Sequence, residues 1–536
     1  MLRRRPAPLL VIAALLVACS SAPWPSLASA PAASSASSAA PSTVTPSIAA
    51  FVPTYADTPC PDDIEITALV EHTCGRLTVL EDRSKPAGRT IDLLVVKTPT
   101  SAAEPRSWPG TGFGGDLGMS SAGVTPEGAT RTKANQYGLE RRGLRYSDPD
   151  LACPEVDGLD VAAAEAADGD QGFQRRFVEA IGACRARLTG AGIDIAAYDV
   201  TEAAADLEDL RVVLGLDDWL MDTKGDASLY TFAYLRNWAS HVGRVVLDSP
   251  RFPQDLDPRA SSAALDYAWR QFVAACGADP QCDHVLPDPT ATLRTAVERL
   301  EARPISFRST SGRVATHAGR PVTIVVDGEK LLRLVRSTLG GDGPGNLAGL
   351  PAMLAEAATG NADPQAQQIL GNDPTACVGR RPECVNPGAF AWGVYLSVMC
   401  RDVVPFSRTT AVTSGPGDRP FDRIATDELL TAACQAWNVA PADPSVTQPA
   451  AAGTPMLIYT GQLDSWSTRP QAEAALATLP GAHSYEVPGQ THNVMGFTDC
   501  SITMRNAWLD DPSKPPPDTG CLSALHPVFH GSVAGG

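Results

Sequence analysis

The sequence contains no C-x-x-C pair and no apolar run long enough to cross a membrane as a permanent helix. It is also short of positive charge: 43 Lys and Arg stand against 60 Asp and Glu, a formal net charge of −17. Each shortage excludes something. Without C-x-x-C the commonest zinc-ligand spacing is missing, and Cys276, Cys282 and His284 are a thin substitute, so no metal and no other cofactor is expected. The acidic balance argues against nucleic acid as a partner and against electrostatic adhesion to anionic lipid. A third shortage is local. Residues 20–55 are Ser, Ala and Pro with almost no charge, a composition that cannot bury a core and reads as a flexible tether.

What is present points to export. Arg3, Arg4 and Arg5 precede an apolar run over residues 9–17 and then Ala18 and Cys19, the layout of a targeting signal. The end of that run looks like a bacterial lipoprotein box, with residues 1–18 removed and Cys19 lipidated; an ordinary signal peptide cut near Ala30 is the rival. Losing residues 1–18 takes away three arginines and no acids, which makes the rest still more acidic. The expected location is extracytoplasmic, secreted or held to the membrane by a lipid anchor only. Thirteen cysteines less Cys19 leave an even number, as an oxidising compartment allows. Spacing favours neighbours as partners, although one sequence does not fix connectivity: Cys60–Cys74, Cys153–Cys184, Cys276–Cys282, Cys377–Cys384, Cys400–Cys434 and Cys500–Cys521. Each bond would contribute roughly 2–4 kcal/mol.

With 536 residues, 44% of them hydrophobic, the chain can form one large domain with an insertion, or two domains. It is organised around residues 206–250. Leu207, Leu210 and Leu214 recur at helical spacing and Gly215 is a helix stop. A short apolar run from Trp219 to Met221 follows, then a turn at Thr223, Lys224, Gly225 and Asp226, a second helix to about His241, and a buried strand over residues 244–248.

This stretch resembles the nucleophile elbow of the tripeptidyl-aminopeptidase-like branch of the α/β hydrolases, secreted serine exopeptidases related to prolyl aminopeptidases. Further motifs carry the resemblance over residues 56–525: Arg142-Gly143, Ser147, Pro149 and Cys153-Pro154-Glu155, then Gly461-Gln462-Leu463-Asp464 and the loop around His492. The resemblance implies a mostly parallel sheet flanked by helices, with core over residues 56–250 and 426–536 and a mainly helical cap inserted at 251–425. Residues 19–55 remain the tether. Serine at the elbow, Asp464 and His492 would then be the catalytic triad, in the chain order this fold uses.

The elbow departs from the pattern. Counting forward from Trp219 or back from Val242-Gly243-Arg244 gives Gly225 at the nucleophile position, and glycine has no hydroxyl. Ser228, three residues on, is a possible substitute, and water activated by His492 and Asp464 is another. The oxyanion donors would be the backbone N–H of Asp226 and the loop at Gly114 and Gly115, though no apolar strand is visible before those glycines and the segment reads equally as plain loop. Arg145 stands where the family has a second glycine and Glu140 where it has an aspartate. The expected function is that of a catalytically impaired relative binding a peptide or a small ester or amide; the alternative is a working exopeptidase or esterase using Ser228 or water.

Overall fold

The computed structural model describes residues 51–529, except 63, 65–70, 104–105, 107–108, 112–132, 168, 257, 310–317, 342, 346, 361–389, 407–420, 422–423, 425–427 and 451–452. The targeting signal with Cys19, most of the tether, Gly114, Gly115, Cys377 and Cys384 therefore lie outside the described residues.

Nine strands form one sheet in the order β1-β2-β3-β5-β4-β6-β7-β10-β11. The strands β1 (Thr54–Thr58), β2 (Thr73–Leu80) and β3 (Thr90–Thr98) pair antiparallel, and β3 pairs antiparallel with β5 (Gln136–Leu139). From β5 onward, through β4 (Gly110–Thr111), β6 (Trp219–Lys224), β7 (Val242–Asp248), β10 (Met456–Gly461) and β11 (Ala482–Val487), every pairing is parallel. An antiparallel edge feeding a parallel sheet, with β4 crossing between β5 and β6, is the α/β-hydrolase topology expected from the sequence.

Side-chain alternation distributes the central strands between two helical layers. Trp219, Met221, Val245, Leu247, Met456 and Ile458 face one way, against α2 (Val200–Val213) and α3 (Ser228–Trp238). Leu220, Val246, Leu457 and Tyr459 face the other, against Met504, Trp508 and Leu509 of α10 (Asp499–Asp510). Helix α2 starts at its Asp199 cap, whose carboxylate accepts from Glu202 N, and stops at Gly215 with φ +64°.

Two expectations need correction. A strand does precede the glycine-rich loop: β4 lies at the centre of the sheet but is two residues long. A Cβ at its Gly110 would meet the amide end of the Gln136 side chain, which would have to move aside. Two residues joined by backbone bonds to both neighbours carry no apolar pattern to read. The strand β6 also runs further than its apolar core, to Lys224, so the chain reverses at Gly225 itself.

Between β7 and β10 the chain forms α4 (Pro258–Ala278), α5 (Pro289–Ala302), α6 (Gly328–Leu339), α7 (Leu350–Thr359), α8 (Trp392–Val398) and α9 (Glu428–Trp437). The first four share a core of Leu265, Trp269, Phe272, Leu293, Leu331 and Leu354. That core also covers an antiparallel pair that was not expected, β8 (Ile305–Ser309) with β9 (Val322–Val326). Helices α8 and α9 pack instead on α1 (Gln171–Gly190), through Trp392, Leu396 and Trp437 against Phe177 and Leu188. The inserted chain is thus divided between a body built mainly from its own helices, into which Ala164, Leu463 and Phe529 also pack, and a layer shared with α1.

Five of the expected disulfides are formed: Cys60–Cys74, Cys153–Cys184, Cys276–Cys282, Cys400–Cys434 and Cys500–Cys521. The bond between Cys276 and Cys282 removes the metal reading that would have joined them to His284.

Candidate active site

The C-terminal ends of β6, β7, β10 and β11 converge on one point. Strand β10 ends at Gly461, where a Cβ would collide with the carbonyl of Thr491; its absence lets the strand end close onto the loop after β11. Leu463 N donates to Gln490 O at 2.9 Å across that contact. Asp464 follows, fully buried, with each carboxylate oxygen committed. Oδ1 accepts from Trp466 N at 2.7 Å, and Oδ2 lies 2.8 Å from His492 Nδ1. A carboxylate so placed holds the imidazole with its proton on Nδ1, which leaves Nε2 the basic nitrogen.

Nε2 is aimed at the elbow. Gly225 has φ +58°, a conformation that side-chain-bearing residues rarely adopt, and a Cβ built there would sit 3.2 Å from His492 Nε2. Gly225, Asp226 and Ala227 form one 3-10 turn that runs directly into α3. The structure therefore brings Gly225, Asp464 and His492 together, and it places the backbone of Asp226 at the head of the helix beside them. The Asp226 side chain pairs with Arg251 at 3.4 Å.

Ser228 is directed elsewhere. It is fully buried; its Oγ lies 2.8 Å from Gly225 O and 2.9 Å from Arg251 O and accepts from Arg251 N at 2.8 Å. The hydroxyl ties the elbow to the segment after β7, as serines in a first helical turn commonly do.

Two residues at the end of β7 were missed. Asp248, 1% exposed, accepts from Val494 N at 2.8 Å and Met495 N at 2.9 Å, and Ser249 Oγ accepts from Asn493 N at 2.9 Å. The three residues that follow His492 are thereby fixed from the core side. Burial pushes the Asp248 carboxyl up to about 6, against the pull of those two hydrogen bonds and of the charges on Lys224 and His492. The strand signal at residues 244–248 was visible; the partners, some 245 residues away, were not.

The loop that resembles the family's R-G-x-G segment is anchored to α2 and to the end of β2. The Arg142 guanidinium is buried and doubly bonded to Asp206, at 2.7 and 2.6 Å, and donates to the carbonyls of Glu81 and Ala197. Glu140 is buried and accepts from Tyr146 N at 3.3 Å.

Residues 421–521, which span β10, Asp464, β11, His492 and α10, match the family described as TAP-like protein. No curated protein matches the chain. Among solved structures, it is similar to a proline iminopeptidase from Mycobacterium smegmatis, at 12% identity and a TM-score of 0.37, over 79% of this chain and 96% of that one. A thermophilic esterase from Thermogutta terrifontis gives 14% and 0.31 over 82% and 99%, and an enol-lactonase from Burkholderia xenovorans gives 11% and 0.32 over 78% and 97%. The chain has the α/β-hydrolase fold, and its residues 421–521 match the TAP-like family.

Proposed function

We propose that this chain is a catalytically impaired α/β hydrolase that keeps the acid–base half of a serine-hydrolase triad and uses its cleft to bind peptide-like ligands outside the cytoplasm. One observation carries the reading. The position under His492 Nε2 is Gly225, whose missing Cβ would stand 3.2 Å from that nitrogen. A glycine at the elbow offers the base no hydroxyl, so no acyl-enzyme forms at residue 225. Loss of the serine from such a triad costs about 10⁶ in kcat. The geometry of Ser228 supports the same reading, since its Oγ is engaged by backbone atoms of Gly225 and Arg251. Five disulfides support the extracytoplasmic setting, and lipid attachment through Cys19 is part of the proposal. Short peptides with free N-termini are the first ligands to screen, by the kinship of the C-terminal part to TAP-like proteins.

The test is fluorophosphonate labelling of the full chain beside Gly225→Ser. The natural chain should remain unlabelled and the variant should label at the new serine, with Asp464→Asn suppressing it. Stoichiometric labelling of the natural chain, abolished by Ser228→Ala, would sink the proposal. Peptide or ester turnover without labelling, lost in His492→Ala, would favour activated water instead.

A further inference from the structure

Helix α6 belongs to the inserted body, yet its last turn and the glycines after it run between the two loops that carry Asp464 and His492. On the acid side, Ser465 Oγ donates to Arg336 O at 2.9 Å, and the Arg336 guanidinium stands 3.8 Å from the Trp466 ring centroid. Gly340 lies so close that a Cβ there would enter the Trp466 indole and come within 2.6 Å of Ser465 Oγ. On the base side, Gly341 O accepts from Thr491 Oγ1 at 2.8 Å and from His492 N at 3.2 Å, and Gly343 N donates to His492 O at 3.1 Å. Gly343 has φ +72°, and a Cβ there would meet the Phe497 ring at 2.5 Å.

These contacts divide the support of the imidazole in two. Beyond His492 the loop is bonded to the core, through Asp248 and Ser249. At Thr491 the side-chain hydroxyl, and at His492 the backbone, is bonded to the insertion. The acid has the same dependence, because Asp464 Oδ1 is oriented by Trp466 N and the indole of Trp466 lies under Arg336. Side-chain-free backbone at 340 and 343 permits this closeness, and close packing of this kind couples the end of α6 to both loops.

We propose that Arg336, Gly341 and Thr491 are positioning residues for the Asp464–His492 pair. The inference deepens the reading of the site proposed above. It rests on the pair being formed, and it does not depend on whether Gly225 abolishes turnover.

The probe is diethyl pyrocarbonate, with ethoxycarbonylation of His492 timed by peptide mass spectrometry in the intact, oxidised chain. His483 and His526 serve as internal references, and the low-field Nδ1–H proton of the pair serves as a spectroscopic check. Thr491→Val removes one hydrogen bond at nearly constant volume, and Arg336→Ala removes the ring contact. Each should raise the His492 rate roughly tenfold and shift or broaden the low-field resonance. Arg336→Lys, which keeps a cation over the ring, should recover part of the effect. Unchanged His492 rates and resonance in folded Thr491→Val overturn the proposal, even where Arg336→Ala fails to fold. Asp464→Asn separates the two readings. If it too leaves His492 unchanged, the pair itself is absent; if it alone changes His492, only the role of α6 is lost.

Discussion

Asp248→Asn provides a quantitative test of how the His492 loop is held. The carboxyl is 1% exposed, and its value of about 6 in the folded chain compares with 3.8 when unperturbed. That difference of about two units corresponds to about 3 kcal/mol disfavouring the ionised form in the folded state. Between the two values the folded chain binds more protons at this site than the unfolded chain. Stability contributed here therefore falls as pH rises from about 4 to about 6, and the full penalty is present above that window. Asparagine removes the titration. It offers one acceptor oxygen to the two N–H groups of Val494 and Met495, so one of them is left facing an NH₂, at a cost of about 1–3 kcal/mol.

Above pH 6 these two effects oppose one another, and the variant should lie within about 2 kcal/mol of the natural chain. Its relative standing must change with pH. The difference in unfolding free energy, variant minus natural, should become more favourable to the variant by about 3 kcal/mol between pH 4 and pH 7. Urea unfolding at several pH values, with the disulfides intact and two probes checked for coincidence, measures this directly. Parallel curves across the window would refute the argument, since the carboxyl would then titrate alike in both states. A slope of the opposite sign would mean that the hydrogen bonds from Val494 and Met495 outweigh burial.

Gly225→Ala should lower stability by about 1–2 kcal/mol, because a left-handed residue gains a Cβ that also presses on His492; thermal unfolding checks it, and no loss would mean that the elbow relaxes away from the imidazole. Removing the Cys153–Cys184 bond, which closes 31 residues, should cost about 1.5 kcal/mol more than removing Cys276–Cys282, which closes 6; paired Cys→Ser variants in urea give the comparison. Asp206→Asn, which leaves the buried Arg142 guanidinium without its doubly bonded carboxylate, should cost about 3–5 kcal/mol, and adding Arg142→Met should recover part of it.

The sequence made legible whatever is written in local pattern. The β-branched run at residues 244–248 and the apolar run beginning at Met456 are β7 and β10, and Leu207 and Leu210 lie on α2 with Leu214 at its C-cap. The distance of Gly225 from Trp219 on one side and from Arg244 on the other was readable because both flanking elements are regular. Neighbour pairing of cysteines was readable because each bond closes a short stretch of chain. The remainder depends on contacts distant in sequence. Strand β4 is defined by its neighbours, the hold of Asp248 on residues 494 and 495 spans the whole insertion, and the contact of Gly341 with Thr491 joins two loops that share no motif. Strands β8 and β9 did alternate, with burial on every second residue, but a helical rhythm had been expected around them.

The Asp464–His492 pair is weaker testimony about chemistry than it first suggests. Asp464 is fully buried and His492 is 4% exposed, so removing either partner would leave the other buried with a lost bond, a change that costs several kcal/mol in comparable pairs. Folding alone is sufficient reason to keep both side chains, whether or not the site turns over. The elbow discriminates better, because stability makes the opposite demand there. A serine at φ +58° is strained and a glycine is not, so a chain with no use for the hydroxyl gains stability by having glycine at that position. Acid and base are therefore expected in both an active and an inactive relative. Gly225 is expected where the elbow hydroxyl is not used, in an inactive relative or in one whose attacking group comes from elsewhere.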